Sequence, residues 1–81
     1  MKYKIEVTAK HIKEGKKKVG SSCPVALACR DVFQMSRIMV GYVTLDIDSE
    51  KVNLSQKATD FISRFDEGEK VKPFSFYVKV D

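Results

Sequence analysis

The chain contains no tryptophan, one histidine, two cysteines, two prolines and four glycines in 81 residues. Each scarcity excludes something. Cys23 and Cys29 with His11 make no structural zinc pattern, which needs four ligands in close pairs. A small secreted domain normally carries a denser cysteine framework. On one helix, two cysteines six positions apart point to different faces, about 120° and about 9 Å apart, so two free thiols are expected. Gly15 and Gly20 stand alone and Lys16-Lys17-Lys18 lies outside any Walker spacing, so no phosphate-cradling loop is present. Asp46-x-Asp48-x-Glu50 superficially resembles a calcium loop. It lacks the glycine at the sixth position and the acid at the twelfth, and reads instead as a turn with solvated acids. No metal and no cofactor is expected.

Long apolar runs are missing too. None approaches the roughly 20 residues that span a bilayer. The N-terminus alternates Lys2, Tyr3, Lys4, Ile5, Glu6 and Val7, with no apolar core of a signal peptide. The expectation is a cytoplasmic protein (in the host cytoplasm, if encoded by a phage) with no membrane contact. The sequon Asn53-Leu54-Ser55 then has no glycosylation role.

Turning to what is there, 43% of the residues are hydrophobic and 32% charged, too apolar for disorder. Eight Phe and Tyr side chains can fill a small core. A chain this short buries only roughly 60% of its unfolded surface, so stability is expected to be marginal. The net charge of +4 is unevenly spread. Residues 1–30 carry +6, and residues 31–81 carry −2. Most of the excess lies between positions 10 and 18.

There is no internal repeat and no linker, so residues 1–81 read as a single domain. Tyr3, Ile5 and Val7 share one face of a half-buried strand over 2–8. Thr8 can cap a short helical turn from Ala9 to Glu14, which Gly15 ends. Lys16 to Ser21 reads as an exposed loop. Ser22-Cys23-Pro24 starts a helix, because proline in the first turn sacrifices no hydrogen bond. Val25, Ala28, Cys29, Val32 and Phe33 line its apolar face, widened by Ala26 and Leu27. Arg30 and Asp31 mark its wet side.

From Arg37 to Asp48 the pattern is β-rich. Ile38, Val40 and Tyr42 share one phase, while Val43, Leu45 and Ile47 share the other. Such a slip beside Gly41 suggests a bulge, or a strand covered on both faces in its first half. Asp48 to Lys51 reads as a turn, and Val52 to Leu54 as a short edge strand pairing back. Ser55 caps a second helix whose stripe is Ala58, Phe61, Ile62 and Phe65, with Gly68 at its stop. Asp66, Glu67 and Glu69 lie near its C-terminus, where the helix dipole disfavours acids. The last strand alternates Phe74, Phe76, Val78 and Val80 inward.

The order β-α-β-(β)-α-β predicts an α+β fold. Its simplest form is a two-layer sandwich, with two helices on one face of a mostly antiparallel sheet of three or four strands. A real fourth strand gives the ferredoxin-like order.

Candidate binding residues follow from charge and exposure. Lys10, Lys13, Lys16, Lys17 and Lys18, with His11, can approach a phosphate backbone, the sequence-independent part of nucleic-acid affinity. The cluster has no arginine and no interleaved aromatic to stack bases, and a solvated loop explains it as well. His11 alone is read as sitting on a solvated turn. Tyr42 and Tyr77 are expected on the outer face of the sheet, as a stacking platform or a protein interface; covering that face would also make a homodimer. Cys23 at a helix N-terminus is a possible nucleophile, because the dipole lowers a thiol pKa there. A lone His and a lone Cys without supporting acids make weak catalytic machinery, and no catalytic residue is assigned.

Several runs also carry a resemblance. His11-Ile12-x-x-Gly15, Cys23-Pro24-Val25-Ala26-Leu27-Ala28, Val40-Gly41-Tyr42, Phe61-Ile62-x-x-Phe65-Asp66-x-Gly68 and Pro73-Phe74-x-Phe76 resemble a family of small uncharacterised proteins of bacteriophage and bacterial genomes. The likeness covers most of the chain, and the Cys-Pro-Val-Ala-Leu-Ala run is its most distinctive part. It implies a phage or prophage setting and no catalytic residues. The Lys16–Lys18 run is outside that pattern. The first functional expectation is a non-enzymatic accessory protein that binds a protein partner or itself. The alternatives are a nucleic-acid-binding module using the lysine-rich segment, and a Cys23-dependent enzyme or redox switch.

Overall fold

A computed structural model describes residues 2–34 and 36–80. Strand β1 (Lys2–Val7) buries Ile5 and Val7 and exposes Lys2, Lys4 and Glu6, as its alternation requires. Thr8 caps α1 (Ala9–Glu14). Gly15 closes that helix in an ordinary extended conformation, φ −70 and ψ 151, so no left-handed cap is involved. The glycine is needed for space: a Cβ there would sit 2.5 Å from Cδ of Pro24. Cys23 and Pro24 open α2 (Pro24–Val32) as expected, and Val25, Ala26, Ala28 and Cys29 are buried. Val32, expected on the same stripe, is exposed, because it stands at the rim of an open groove beside His11 and Asp31. Phe33 packs edge-on to Tyr3, centroids 4.9 Å apart, and ties the end of α2 to β1.

The phase slip at Gly41 marks a reversal of the chain and not a bulge. Strands β2 (Ile38–Val40) and β3 (Thr44–Ile47) pair antiparallel, Val40 opposite Leu45 and Ile38 opposite Ile47. Opposed residues share a face, so all four side chains are buried although their sequence phases differ. The Gly41 N–H donates to the Thr44 carbonyl at 2.8 Å inside the turn. A second hairpin joins β3 to β4 (Glu50–Asn53) through Asp48 and Ser49, with φ of 51 and 74. Two left-handed residues in a two-residue loop define a turn whose twist suits the strands. The Asp48 carboxylate accepts from the Arg37 N–H at 2.8 Å. That bond holds its carboxyl below the usual range.

Ser55 caps α3 (Gln56–Asp66), accepting from the Ala58 N–H, and Ala58, Phe61, Ile62 and Phe65 are buried. Its end is a Schellman motif: Gly68 (φ 84) donates to Phe65 and Glu69 to Arg64. The last strand, β5 (Phe74–Lys79), buries Phe76 and Val78.

The α+β class and the antiparallel pairing stand, and the short fourth strand is real. The strands divide, however, into two sheets, β1-β5 and β2-β3-β4, in place of one. The first and last strands pair along their whole length, from Lys2 opposite Lys79 to Val7 opposite Phe74. Helix α2 packs on both β1 and β2 and so joins the sheets. Ile5, Val25, Cys29, Leu45 and Val78 from these elements are fully or almost fully buried in one core.

Candidate functional site

The lysine segment is docked, not loose. Lys10 and Lys13 are exposed on α1, and Lys16, Lys17 and Lys18 are exposed on the loop that follows. The Lys16 N–H donates to Ser22 at 2.9 Å and closes that loop. Lys18 is held in a left-handed conformation, φ 59, and its N–H donates to Asp66 Oδ1 at 2.9 Å. The Lys17 ammonium lies beside Gly68, at the C-terminal end of α3. The loop therefore brings positive charge to a helix end crowded with acids, where cations are favoured. The Lys18 N–H gives the Asp66 carboxylate a partner at that end.

A cleft of about 190 Å³ opens where the loop meets the β2–β3 turn. Lys18, Val19, Cys23, Tyr42, Ile62 and Asp66 line it. The Val40 N–H donates to Gly20 at 2.9 Å, so the loop backbone lies along the edge of β2. Only glycine permits that approach, since a Cβ on Gly20 would meet the Val40 carbonyl oxygen at 2.5 Å. In the cleft and on the adjoining β2–β3 hairpin stand apolar side chains that the core does not use. Tyr42 is 82% exposed, Val43 62% and Met39 52%, with Val19 also exposed. Sequence reasoning missed Val19, Met39, Val43 and Asp66. The available signal was Tyr42-Val43 in a turn, where two large apolar residues have no core to fill.

Tyr42 and Tyr77 do not form a common platform. Tyr42 belongs to the turn of the three-stranded sheet, and Tyr77 to β5 of the other sheet. Both are exposed, but Tyr77 sits under the Lys2 ammonium, 4.7 Å from its ring centre. The expectation of a shared surface fails because the strands sort into two sheets.

His11 is not on a solvated turn. It is buried, at the third position of α1, and completes a capping box with Thr8. The Thr8 N–H donates to His11 Nδ1 at 3.0 Å, and the His11 N–H to Thr8 Oγ1 at 3.4 Å. On the other side of the ring, Nε2 lies 2.6 Å from Asp31 Oδ2. With Nδ1 accepting, the proton sits on Nε2 and points at the carboxylate. The Thr8 bond occupies the only free lone pair of the ring, the one a general base or a metal ligand would need. His11 therefore pins α1 to α2.

The thiols are free and buried. Burial pushes Cys29 up to about 12, with the nearby Cys23 adding to it. Burial also raises Cys23, against the lowering by the backbone N–H groups of Ala26 and Val25 at the helix start. The dipole effect expected from sequence is present but outweighed by desolvation. Among the described residues no group of three His, Cys, Asp or Glu is placed to hold a metal ion. No described helix is long and apolar enough to cross a membrane. Comparison with known protein families, curated proteins and solved structures finds no match.

Proposed function

We propose that this chain is a small non-enzymatic binding protein that docks a protein partner on the face formed by the Lys16–Val19 loop and the β2–β3 turn. The observation that carries the reading is the pair of exposed apolar side chains lining that cleft, Val19 and Tyr42, with Met39 and Val43 exposed on the adjoining β2–β3 hairpin. Tyrosine and methionine are enriched at protein interfaces, where their burial supplies most of the affinity. Lys18 in the cleft, with Lys16 and Lys17 exposed on the same loop, suits a partner segment that offers an apolar anchor flanked by acids. A phosphate backbone fits this cleft less well, because the Asp66 carboxylate lines it. An accessory role in a phage or prophage setting rests on the resemblance of the His-Ile-x-x-Gly and Cys-Pro-Val-Ala-Leu-Ala runs.

The test is affinity capture from host lysate with the native chain and with a Tyr42→Ser, Val43→Ser variant, both side chains being exposed and free to change without loss of the core. A partner held by the native chain and released by the variant is the expected result. Equal recovery by both overturns the reading. Sedimentation of the two proteins reveals whether the partner is a second copy of the chain.

A further inference from the structure

The second half of the chain carries a net negative charge, yet the fold gathers four of its cations around one groove. Lys57 and Arg64 stand on one wall, seven positions apart on the same face of α3, about 10 Å along its axis. Lys70 and Lys72, from the segment between α3 and β5, line it as well. Asp60 is the single acid of the groove, and it accepts from Gln56 Nε2 at 2.9 Å. Among the described residues none of the four cations is in an ion pair; Lys57 instead lies 5.8 Å from the Phe74 ring centre.

One aromatic ring reaches the groove. Phe74 stacks on the buried Phe61 with centroids 4.4 Å apart and planes at 29°, and on the buried Phe76 at 5.6 Å. Phe74 itself is only half-buried, so part of its ring faces the groove. The groove measures about 490 Å³, more than twice the cleft at Tyr42.

We infer that this groove is a binding site for single-stranded nucleic acid, separate from the protein-docking face. Four cations from two separate segments around one groove suit a ligand that carries a charge on every unit of its chain. A half-exposed ring such as Phe74 is of use to bases that are unpaired, since a duplex hides their faces. The Arg64 guanidinium serves either part, as a planar surface against a base or as a fork on a phosphate. The signal in sequence was faint because Lys57, Arg64, Lys70 and Lys72 are spread through an acidic segment with Asp60, Glu67 and Glu69 between them.

Fluorescence anisotropy with the full chain tests the site, using a labelled oligothymidylate of about ten nucleotides. The comparison ligands are a hairpin duplex and a labelled oligoglutamate. Binding of the single strand at low salt, weakening steeply as salt rises, is expected. Lys70→Glu with Lys72→Glu should weaken it about tenfold or more. Lys10→Glu with Lys13→Glu changes the net charge equally and should weaken it far less. All four lysines are exposed, and circular dichroism checks that both variants fold. Absence of binding at low salt overturns the site, as does equal loss in the two variants. Tighter binding of oligoglutamate assigns the groove to an acidic protein segment, and tighter binding of the duplex removes the role of the Phe74 ring; either result overturns the inference.

Discussion

His11 shows how much one side chain can hold in a fold this small. Replacing it with alanine removes the side-chain half of the capping box, the bond to Asp31 and a buried ring. A loss of about 1–2 kcal/mol is expected in urea denaturation, the usual range for a cap. His11→Gln should recover part of it, because glutamine at the third helical position can also accept from the cap N–H. Asp31→Ala should cost less, since that carboxylate is largely exposed. The thiols make a second prediction at this scale. In the folded chain Cys29 keeps its proton up to about 12, whereas the unfolded thiol releases it near 9.0. Between those values the unfolded state binds fewer protons, so stability should fall as the pH climbs from about 9 toward about 12. It should be unaffected by this group below that window. Denaturation midpoints of the native chain and a Cys29→Ala variant, compared across alkaline pH, isolate the effect. At neutral pH an alkylating reagent should modify neither thiol until denaturant is added; a rapidly reacting Cys23 would revive the redox reading.

At the scale of elements, turns and junctions set the limits. Ser49 has φ 74 in the β3–β4 turn, a conformation glycine adopts without steric penalty. Ser49→Gly should raise stability by about 0.5–1 kcal/mol, read from the denaturation midpoint. Gly15→Ala should do the reverse. Its Cβ would fall on the Pro24 ring, and α1 and α2 would have to move apart. A cost of about 1–3 kcal/mol is expected for such overpacking, measured in the same way. The two glycines are easily confused on sequence alone. Gly68 stops α3 through its positive φ, whereas Gly15 ends α1 with an ordinary one. A helix-stop signal cannot separate these, because the second depends on a residue nine positions away.

For the whole molecule, the consequence of two sheets sharing one core is joint unfolding. Ile5 on β1, Val25 on α2 and Leu45 on β3 have no solvent exposure. A chain of this length has about 5 kcal/mol to lose, and a buried Ile→Ala change removes about 2–5 kcal/mol. Ile5→Ala should therefore leave the protein close to its unfolding threshold. Hydrogen exchange should show protection falling together in β1-β5 and β2-β3-β4. Loss confined to β1-β5 would show that α2 does not couple the sheets.

The strands, helix caps and buried stripes were legible in the sequence because each depends on neighbours within a few residues. Thr8, Ser55 and Pro24 start helices by local hydrogen bonding, and Ile5 or Phe76 reveals its face by period alone. Sheet membership was not legible. The same alternation satisfies one sheet or two; the chain ends pair, Lys2 opposite Lys79, and among the described residues no ladder joins that pair to β2-β3-β4. The candidate surfaces followed the same rule. The lysine loop was visible as composition. Its meeting with Tyr42 and Asp66, the burial of His11 against Asp31, and the four cations around Phe61 and Phe74 arise from contacts between distant positions. Local chemistry in this protein is written residue by residue; what those residues do together was decided by the packing that brought them into reach.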